Sequence, residues 1–396
     1  MKALNLREEH RPACPYAKEC GGCQLQNLSY EEQLAYKQHR VAALLDGLCR
    51  PEPIVGMADP RHYRNKVQAA FGYDPRRGIV SGIYRPSSHR IVPVEHCLIE
   101  DEAADAIVCT IRSLMSSFKI KAYDERCETG FLRHVLVRRA FSTGQIMVVL
   151  VGTSPVLPAG KPLATKLVQL YPQITTVVLN VNDRFGPAVL GDREKVLYGS
   201  GTIEDTLCGL TFRLSSRSFY QINPSQTEVL YNLAMDYAAL TGTETILDAY
   251  CGIGTVGLIA SRHAGQVIGV ERNRDAVHDA IYNARRNTVE NCRFYTNDAG
   301  RFMEELARDG LPVDVVFLDP PRTGSDSRFL SSLLLTRPKK IVYISCDPET
   351  LARDLHVLAN GGYMVTRARP VDMFPHTEHV ETVCLLTRQE HKETLR

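Results

Sequence analysis

The second half of the chain alternates short apolar runs with helix-forming stretches, and this alternation most limits what the chain can fold into. From about residue 213 onward, the runs ETILDA, QVIGVE, CRFYT, VDVVFL and KKIVYIS alternate with segments of helical spacing, except that no helix is assigned between CRFYT and VDVVFL. Continuous apolar runs are typical of strands that are buried on both faces. Such strands in alternation with helices predict an α/β domain built on a doubly wound, mainly parallel sheet.

The first half has a different texture. Residues 55–205 contain many short β-branched runs broken by Gly, Pro and Asp, which predict strands, with one helical stretch at 100–117. The last of these runs is PAVLG, at 187–191. Before them, residues 26–50 predict one amphipathic helix, with Ser29 as N-cap and Glu32 completing a capping box. Residues 1–25 are rich in cysteine and glycine and are too few to form a core.

Composition predicts a cytoplasmic protein with no membrane partner. Hydrophobic residues make up 44% of the 396 positions, and the longest apolar run is far shorter than the ~20 residues that span a bilayer. The N-terminus lacks the apolar core of a signal peptide. Disulfides are rare in the cytosol, so the twelve cysteines indicate metal binding, catalysis or packing.

Basic residues occur in several local clusters, although the formal net charge is only +2. The clusters lie at 61–66, 76–77, 133–139 and 285–286, and they are interleaved with Tyr and Phe. Each cluster alone is typical of a solvated surface. Together they make a groove for RNA or DNA a second interpretation.

Acidic residues stand at the ends of four successive apolar runs: Asp248, Glu271, Asp298 and Asp319. The carboxyl ends of parallel strands meet at one edge of a sheet, where ligands bind. Capping of the following helices is the structural alternative. The glycines of DAYCGIGTVG, beside Asp248, allow a tight turn and close approach to a ligand. A carboxylate-rich pocket suits S-adenosylmethionine, which carries an ammonium and a sulfonium group. NAD, whose binding turn follows a strict G-x-G-x-x-G pattern, is the rival cofactor.

Two groups of cysteines are candidates for chemistry. Cys346 ends the run KKIVYIS just before Asp347-Pro348, which places its thiol at the same sheet edge, as a nucleophile or as a buried small side chain. Cys14, Cys20 and Cys23 form a C-x5-C-x2-C pattern that needs a fourth ligand, for which Cys97 is the choice. Zinc accepts the same thiolates and spacing.

A series of motifs occurs in a fixed order between residues 215 and 385. They are SFYQIN, LDAYCGIGTVGL, VE ending at Glu271, LDPPR, ISCDPETLARDL, and DMFPHT followed by Glu381. With these motifs the chain resembles the RNA uracil-5-methyltransferase family, in particular its 23S ribosomal RNA branch. The resemblance implies a Rossmann-like S-adenosylmethionine-dependent methyltransferase domain plus a β-rich central domain with an iron–sulfur cluster.

The resemblance also implies roles for individual residues. Cys346 is the implied nucleophile, which attacks carbon-6 of uracil, and Glu381 is the implied base, which removes the proton from carbon-5. Glu378 is a rival base, expected on the opposite face of the same strand, and His376 is expected to be structural or to contact RNA. The implied S-adenosylmethionine contacts are Gln221, Tyr250, Glu271 and Asp319, with Thr255 and Asp298 as second candidates. Asp319 and Arg322 are expected to position the uracil or to tune the thiol.

For the cysteine cluster, the resemblance implies a 4Fe-4S cluster held by Cys14, Cys20, Cys23 and Cys97. The other cysteines are expected to be packing residues. The implied organisation is a cysteine-rich segment of the central domain at 1–25, a helix at 26–57 that packs on the catalytic domain, a β-rich RNA-binding domain at 58–212, and the catalytic domain at 213–396.

The expected function is methyl transfer from S-adenosylmethionine to carbon-5 of a uridine in 23S ribosomal RNA by a monomer. Many relatives begin with a small RNA-binding β-barrel, which this chain is expected to lack. Arg133, Arg138 and the 61–66 cluster are therefore expected to grip the RNA. Two alternatives stay open: a transfer RNA T-loop uridine as the target, and a catalytically dead RNA-binding iron–sulfur protein.

Overall fold

The computed structural model describes residues 14–157, 159–184, 186 and 188–389. The predicted cysteine-rich segment 1–25 is therefore described from Cys14 onward, and its first 13 residues lie outside the described ranges. Within these ranges, no helix is both long enough and apolar enough to cross a membrane.

A seven-stranded mixed sheet forms the centre of the first half of the chain, in the order β3-β2-β1-β4-β5-β6-β7. Its strands are β1 (Lys66–Asp74), β2 (Gly78–Tyr84), β3 (Ile91–Pro93), β4 (Leu132–Arg139), β5 (Ile146–Gly152), β6 (Ile174–Val181) and β7 (Arg193–Tyr198). The helices of this half are α1 (Ala17–Cys20), α2 (Tyr30–Leu44), α3 (Glu102–Leu114) and α4 (Gly160–Leu170).

Two expectations for this half were wrong. The sequence analysis gave it one helix between its strands, but α4 is a second, and it connects β5 to β6, which pair in parallel. A parallel pair needs such a crossover. A strand was also expected at 187–191, whereas residues 188–191 form a loop and the next strand, β7, begins at Arg193.

A second seven-stranded sheet forms the other half, in the order β12-β11-β10-β13-β14-β16-β15. Its strands are β10 (Thr245–Ala249), β11 (Gln266–Glu271), β12 (Cys292–Thr296), β13 (Val315–Leu318), β14 (Lys340–Ser345), β15 (Tyr363–Val371) and β16 (Glu381–Arg388). The helices are α5 (Pro224–Ala238), α6 (Thr255–Ala260), α7 (Arg274–Arg286), α8 (Ala299–Asp309), α9 (Ser327–Thr336) and α10 (Pro348–Asn360), with a 3-10 turn at Ser261–His263.

The predicted α/β architecture is confirmed in this second sheet. Strands β10 to β14 pair in parallel, and the strand order reverses direction between β10 and β13. Ligands of doubly wound sheets bind at the carboxyl edge beside this reversal. The sequence analysis missed α8, although Asp298 caps its start and Gly310 adopts the left-handed conformation at its end.

Helix α2 begins as predicted, with both hydrogen bonds of the Ser29–Glu32 capping box formed. It ends at Leu44, several residues before the predicted end, because the chain turns at Gly47 with a φ of +78°. The helix lies against α10 and β15 of the second sheet.

A short hairpin joins the two sheets. Its strands, β8 (Thr202–Leu207) and β9 (Leu210–Ser215), contact β5 and β6 on one side and α6 and α7 on the other. Phe212 of the hairpin belongs to one hydrophobic cluster with Val149 of β5 and Val267 of β11. The core is therefore continuous through the hairpin, and the expected boundary between residues 212 and 213 falls within β9.

Candidate active site

One cavity of about 670 Å³ opens at the carboxyl edge of the second sheet, beside the reversal in strand order. Its volume lies within the range of small-molecule and cofactor sites. All eight residues proposed for catalysis and cofactor contact line it: Gln221, Tyr250, Thr255, Glu271, Asp298, Asp319, Cys346 and Glu381. These residues come from seven different segments, so the fold alone brings them together.

The glycine-rich turn after β10 forms the floor of this cavity. Gly254 has a φ of +86°, and a Cβ there would approach Phe294 and Ala280 to within 3.1–3.2 Å. The Gly257 N–H donates to Asp248 Oδ2 at 2.7 Å, which ties the start of α6 to β10. Burial raises the pKa of Asp248 to about 8. Asp248 therefore shapes the turn, as the structural interpretation of this residue expected.

Two further carboxylates lie along the same wall. Glu271 ends β11, accepts the N–H of Gly252 at 3.2 Å through Oε2 and accepts the N–H of Asn273 through Oε1. Asp298 caps α8 by accepting the Arg301 N–H at 3.2 Å, and it also lines the cavity. For Asp298 the capping and the cofactor interpretations are thus compatible.

Cys346 and Glu381 are brought together by strand register. Strand β16 runs antiparallel to β14, and the ladder between them ends with the pair Ser345 and Thr382. One residue further along each strand, Cys346 lies opposite Glu381. Because β16 is antiparallel, its first residue stands at the edge where β14 ends. The thiol and the carboxyl group therefore share one corner of the cavity.

Glu381 is 2% exposed, and its Oε2 atom has no hydrogen-bond partner among the described residues. Burial, and then the charge of Asp319, raise the pKa of Glu381 well above its ordinary value, while Arg322 opposes the shift. Burial also raises the pKa of Asp319. Two neighbouring buried carboxyl groups disfavour full ionisation of both, so a state in which the pair shares one proton is favoured over a state with two charges.

The Cys346 thiol is half-buried in the same corner. Burial, and then the charges of Glu381 and Asp319, raise its pKa to about 12, with Arg322 lowering it. In the protein alone the thiol is therefore protonated at neutral pH. The corner combines a nucleophilic atom with carboxyl groups able to receive a proton, which is the arrangement that nucleophilic catalysis requires.

The expected geometry of Glu378 was wrong. It lies in the turn before β16, not on that strand, and it is exposed, whereas Glu381 is the first residue of β16. Glu378 does not line the cavity. His376 is also outside the cavity: its N–H donates to Gln33 Oε1 at 2.9 Å, and its φ is +69°. His376 thus has a structural role, one of the two roles expected for it.

The four cluster cysteines surround a separate, small cavity of about 60 Å³. Cys14, Cys20, Cys23 and Cys97 all line it, together with Arg64. Burial raises the pKa of Cys20, Cys23 and Cys97. Across the part of the chain that the structure describes, no group of three or more His, Cys, Asp or Glu side chains is arranged to hold a metal ion.

The expected RNA contacts of Arg133 and Arg138 were wrong. Arg138 is 2% exposed and donates to the carbonyls of Ser215 and Ser218, at 3.3 and 2.8 Å. Burial lowers its pKa to about 10. Arg133 is 6% exposed and donates to the Asn182 carbonyl at 3.0 Å. Both guanidinium groups hold backbone in place and do not face solvent.

The model of the family described as tRNA (uracil-5-)-methyltransferase matches residues 29–389. The chain belongs to the RNA uracil-5-methyltransferase family. An uncharacterized RNA methyltransferase of Halalkalibacterium halodurans is 43% identical over 378 residues, which cover 94% of this chain and 82% of the relative. Another, from Clostridium acetobutylicum, is 42% identical over 389 residues, 96% of this chain and 84% of the relative.

A solved methyltransferase has the same fold. The Pyrococcus abyssi tRNA (uracil-54, C5)-methyltransferase, in complex with S-adenosyl-L-homocysteine, superposes with a TM-score of 0.77 at 28% identity. The match covers 92% of this chain and 86% of that protein. This uracil-5-methyltransferase is therefore an S-adenosylmethionine-dependent enzyme that acts on RNA.

Several residues of the cavity carried no signal in the sequence analysis. Phe219 lies at the cavity with 66% of its surface exposed, and Phe374 and the buried Tyr231 also line the wall. Phe219 lies inside the SFYQIN motif, so an exposed aromatic residue next to a methyltransferase motif was the available clue. Phe374 lies inside the DMFPHT motif and offered a similar clue. Tyr231, in α5, reaches the cavity only through tertiary packing, which no local pattern reveals.

Proposed function

We propose that this enzyme methylates carbon-5 of a uridine in 23S ribosomal RNA through a covalent adduct between Cys346 and carbon-6. The observation that carries the proposal is the shared corner of Cys346 and Glu381 in a cavity large enough for a nucleoside. Carbon-5 of uracil is a poor nucleophile. Addition of a thiolate to carbon-6 moves electron density to carbon-5, which then attacks the methyl group of S-adenosylmethionine.

The remaining steps need a base. After methyl transfer, Glu381 removes the proton from carbon-5. Elimination then restores the double bond between carbon-5 and carbon-6, breaks the bond between carbon-6 and Cys346, and expels Cys346 as a thiolate. The target must leave its base stack to reach this corner. Arg322 lines the cavity, and its charge lowers the pKa of both Cys346 and Glu381, which supports a role in keeping both groups ionisable.

The same cavity also suits S-adenosylmethionine. Glu271 ends the second parallel strand, where a carboxylate accepts hydrogen bonds from the hydroxyl groups of a ribose. We assign Gln221, Tyr250, Thr255, Asp298 and Asp319 to the remaining contacts, since all of them line the cavity. Tyr250 has a φ of +68°, which turns the chain toward the cavity.

The four cysteines fit an iron–sulfur cluster. They surround one cavity, and the Arg64 Nε atom beside them is buried without a partner among the described residues. The Arg64 charge lowers the pKa of Cys20 and Cys23, so it favours thiolates at this place. A 4Fe-4S cluster there would hold the N-terminal segment on the first sheet.

Contact with RNA falls to residues other than Arg133 and Arg138. Arg76 and Arg77 are exposed on the β1–β2 turn, and Arg85 and Arg90 are exposed on the β2–β3 turn, where Arg90 lies 3.9 Å from Glu19 of the cysteine-rich segment. We propose that these arginines and the exposed Arg61 contact the RNA, so that the region 58–212 is the RNA-binding domain.

Transfer RNA is the second candidate substrate, because the Pyrococcus abyssi enzyme is named for uracil-54 of transfer RNA. The cysteine cavity favours ribosomal RNA, since the resemblance links such a cluster to the ribosomal branch. Mapping 5-methyluridine in both RNAs from a deletion strain separates the two. We expect one or more 23S sites to lose the methyl group. They should regain it with the native gene but not with a Cys346→Ala gene. Loss confined to transfer RNA would overturn the ribosomal assignment.

The cluster is tested by metal content. Protein purified without oxygen should contain iron and acid-labile sulfide, and Cys20→Ser should lose both. Cys127→Ser is the matched control, because Cys127 is exposed and lies outside the cysteine cavity. Stoichiometric zinc without iron would overturn the iron–sulfur assignment.

A further inference from the structure

The segment 372–380 leads directly into Glu381 and also supplies Phe374 to the active-site cavity. It contains no regular secondary structure, and His376 within it has a left-handed φ of +69°. A loop without its own hydrogen-bond ladder needs partners from elsewhere to hold one shape. The position of both Phe374 and Glu381 therefore depends on what holds this segment.

The backbone carbonyls of the segment are held by groups from distant parts of the chain. Most of these groups come from the N-terminal region and the rest from the start of α5. Six hydrogen bonds, all 3.0–3.1 Å long, are donated to these carbonyl oxygens: Gln226 Nε2 donates to Asp372, Asn223 Nδ2 to Met373, Lys37 Nζ to Phe374, the Tyr63 hydroxyl to Pro375, the Leu25 N–H to His376, and Arg40 Nη1 to Glu378.

Lys37 differs from the other donors because its ammonium group is charged and has no exposure to solvent. Its Nζ atom donates to Asp372 Oδ1 at 2.6 Å, and both side chains have 0% relative exposure. Asp372 Oδ2 accepts the Tyr30 hydroxyl at 2.9 Å. A buried ion pair is a poor source of stability but fixes geometry, because neither partner can turn elsewhere without leaving an unpaired charge. The carbonyl of Phe374 is thus anchored to α2 by an ammonium group.

We propose that Lys37 is a positioning residue of the active site, which fixes the Phe374 carbonyl and thereby sets Phe374 and Glu381 against the bound uracil. This proposal rests on the assignment of Glu381 as the base. It gives α2, which contributes no residue to the cavity, a role in the proton-removal step. Loss of Lys37 should slow that step more than it slows the attack of Cys346, since Cys346 is held by β14 on the other side of the corner.

The positioning role is tested by the fraction of the covalent RNA–protein adduct that persists instead of releasing its product. Unmodified uridine RNA and S-adenosylmethionine are mixed with each variant, and the fraction of RNA that stays attached to protein is measured on a denaturing gel. Glu381→Gln is the reference and should trap methylated RNA. Lys37→Met should reduce turnover at least tenfold, raise the trapped fraction toward that of Glu381→Gln, and leave the dissociation constant of S-adenosylmethionine within twofold.

A second variant distinguishes the positioning role of Lys37 from a purely structural role. Lys37→Met leaves a buried unpaired carboxylate, whereas Lys37→Met with Asp372→Asn removes both charges and should recover most of the lost thermal stability. The trapped fraction should remain high in the double variant, because the Phe374 carbonyl still lacks its donor. Trapping that disappears as stability recovers would overturn the positioning role.

The control is Arg40→Met, which removes a partly exposed donor to the same segment and should change turnover less than twofold, since water can reach and replace it. If Glu381→Gln traps RNA and Lys37→Met does not, the positioning proposal alone fails. If Glu381→Gln releases its product normally, the base assignment fails, and the positioning proposal fails with it.

Discussion

The Cys346 thiol should be unreactive in the protein alone. Burial and the nearby carboxyl groups raise its pKa to about 12 from an ordinary 9.0, which leaves about a thousandfold less thiolate at pH 7.5. A more basic thiolate is intrinsically more nucleophilic, by about twentyfold over this difference. We therefore expect iodoacetamide to alkylate Cys346 about fiftyfold more slowly than an ordinary cysteine at pH 7.5.

The pH dependence gives the sharper test. Because the pKa is raised, the alkylation rate of Cys346 should rise about tenfold with each pH unit and should not level off below about pH 10. The assay is mass spectrometry of the Cys346 peptide after timed exposure to iodoacetamide, without RNA or S-adenosylmethionine. Cys127, which is exposed, serves as an internal control for the reagent. A plateau with a midpoint below pH 9 would refute the reasoning, since it would mean that the protein alone stabilises the thiolate.

Further outcomes follow from the packing around the cavity. Gly257→Ala should reduce the free energy of unfolding by about 1–3 kcal/mol, because the new Cβ would lie 2.9 Å from Asp248 Oδ2; an unchanged urea midpoint would contradict this. Asn65→Ala removes the buried donor to the Gln221 carbonyl at 3.0 Å and should weaken S-adenosylmethionine binding in calorimetry, so native affinity would argue against the assigned contact. Arg138→Met leaves two carbonyls without their donor and should cost about 1–3 kcal/mol in chemical unfolding. A cost near zero would mean that water reaches this turn.

The sequence predicted which residues share the candidate cavity better than it predicted the first half of the fold. Asp319 and Cys346 each end a buried parallel strand, and the ends of such strands meet at one edge whatever the surrounding loops do. Arg133 and Arg138 were misassigned because a basic cluster looks the same in sequence whether it faces solvent or backbone carbonyls. Helix α4 was missed because GKPLATKLVQL has only a modest apolar face and lacks a side-chain N-cap.

Glu381 presented a different difficulty. Its closeness to Cys346 depends on the insertion of β16 between β14 and β15, and residue spacing does not encode strand order. The resemblance to a known family supplied the assignment that local patterns did not. The same limit applies to Lys37, since no helical periodicity indicates that a lysine will be fully buried against residues more than 330 positions away.

The place of β16 in the sheet also bears on how the enzyme is made. This strand is synthesised after β14 and β15, yet it lies between them and bonds to both. While residues 381–388 of a nascent chain are still inside the ribosome, the sheet has a gap between β14 and β15. The edges of these two strands are then unpaired, and no carboxyl group lies opposite the thiol. Such edges attract other strands. The insertion of β16 therefore completes the catalytic corner and covers the aggregation-prone strand edges in a single event. A newly made molecule thus becomes active only when these edges are also paired.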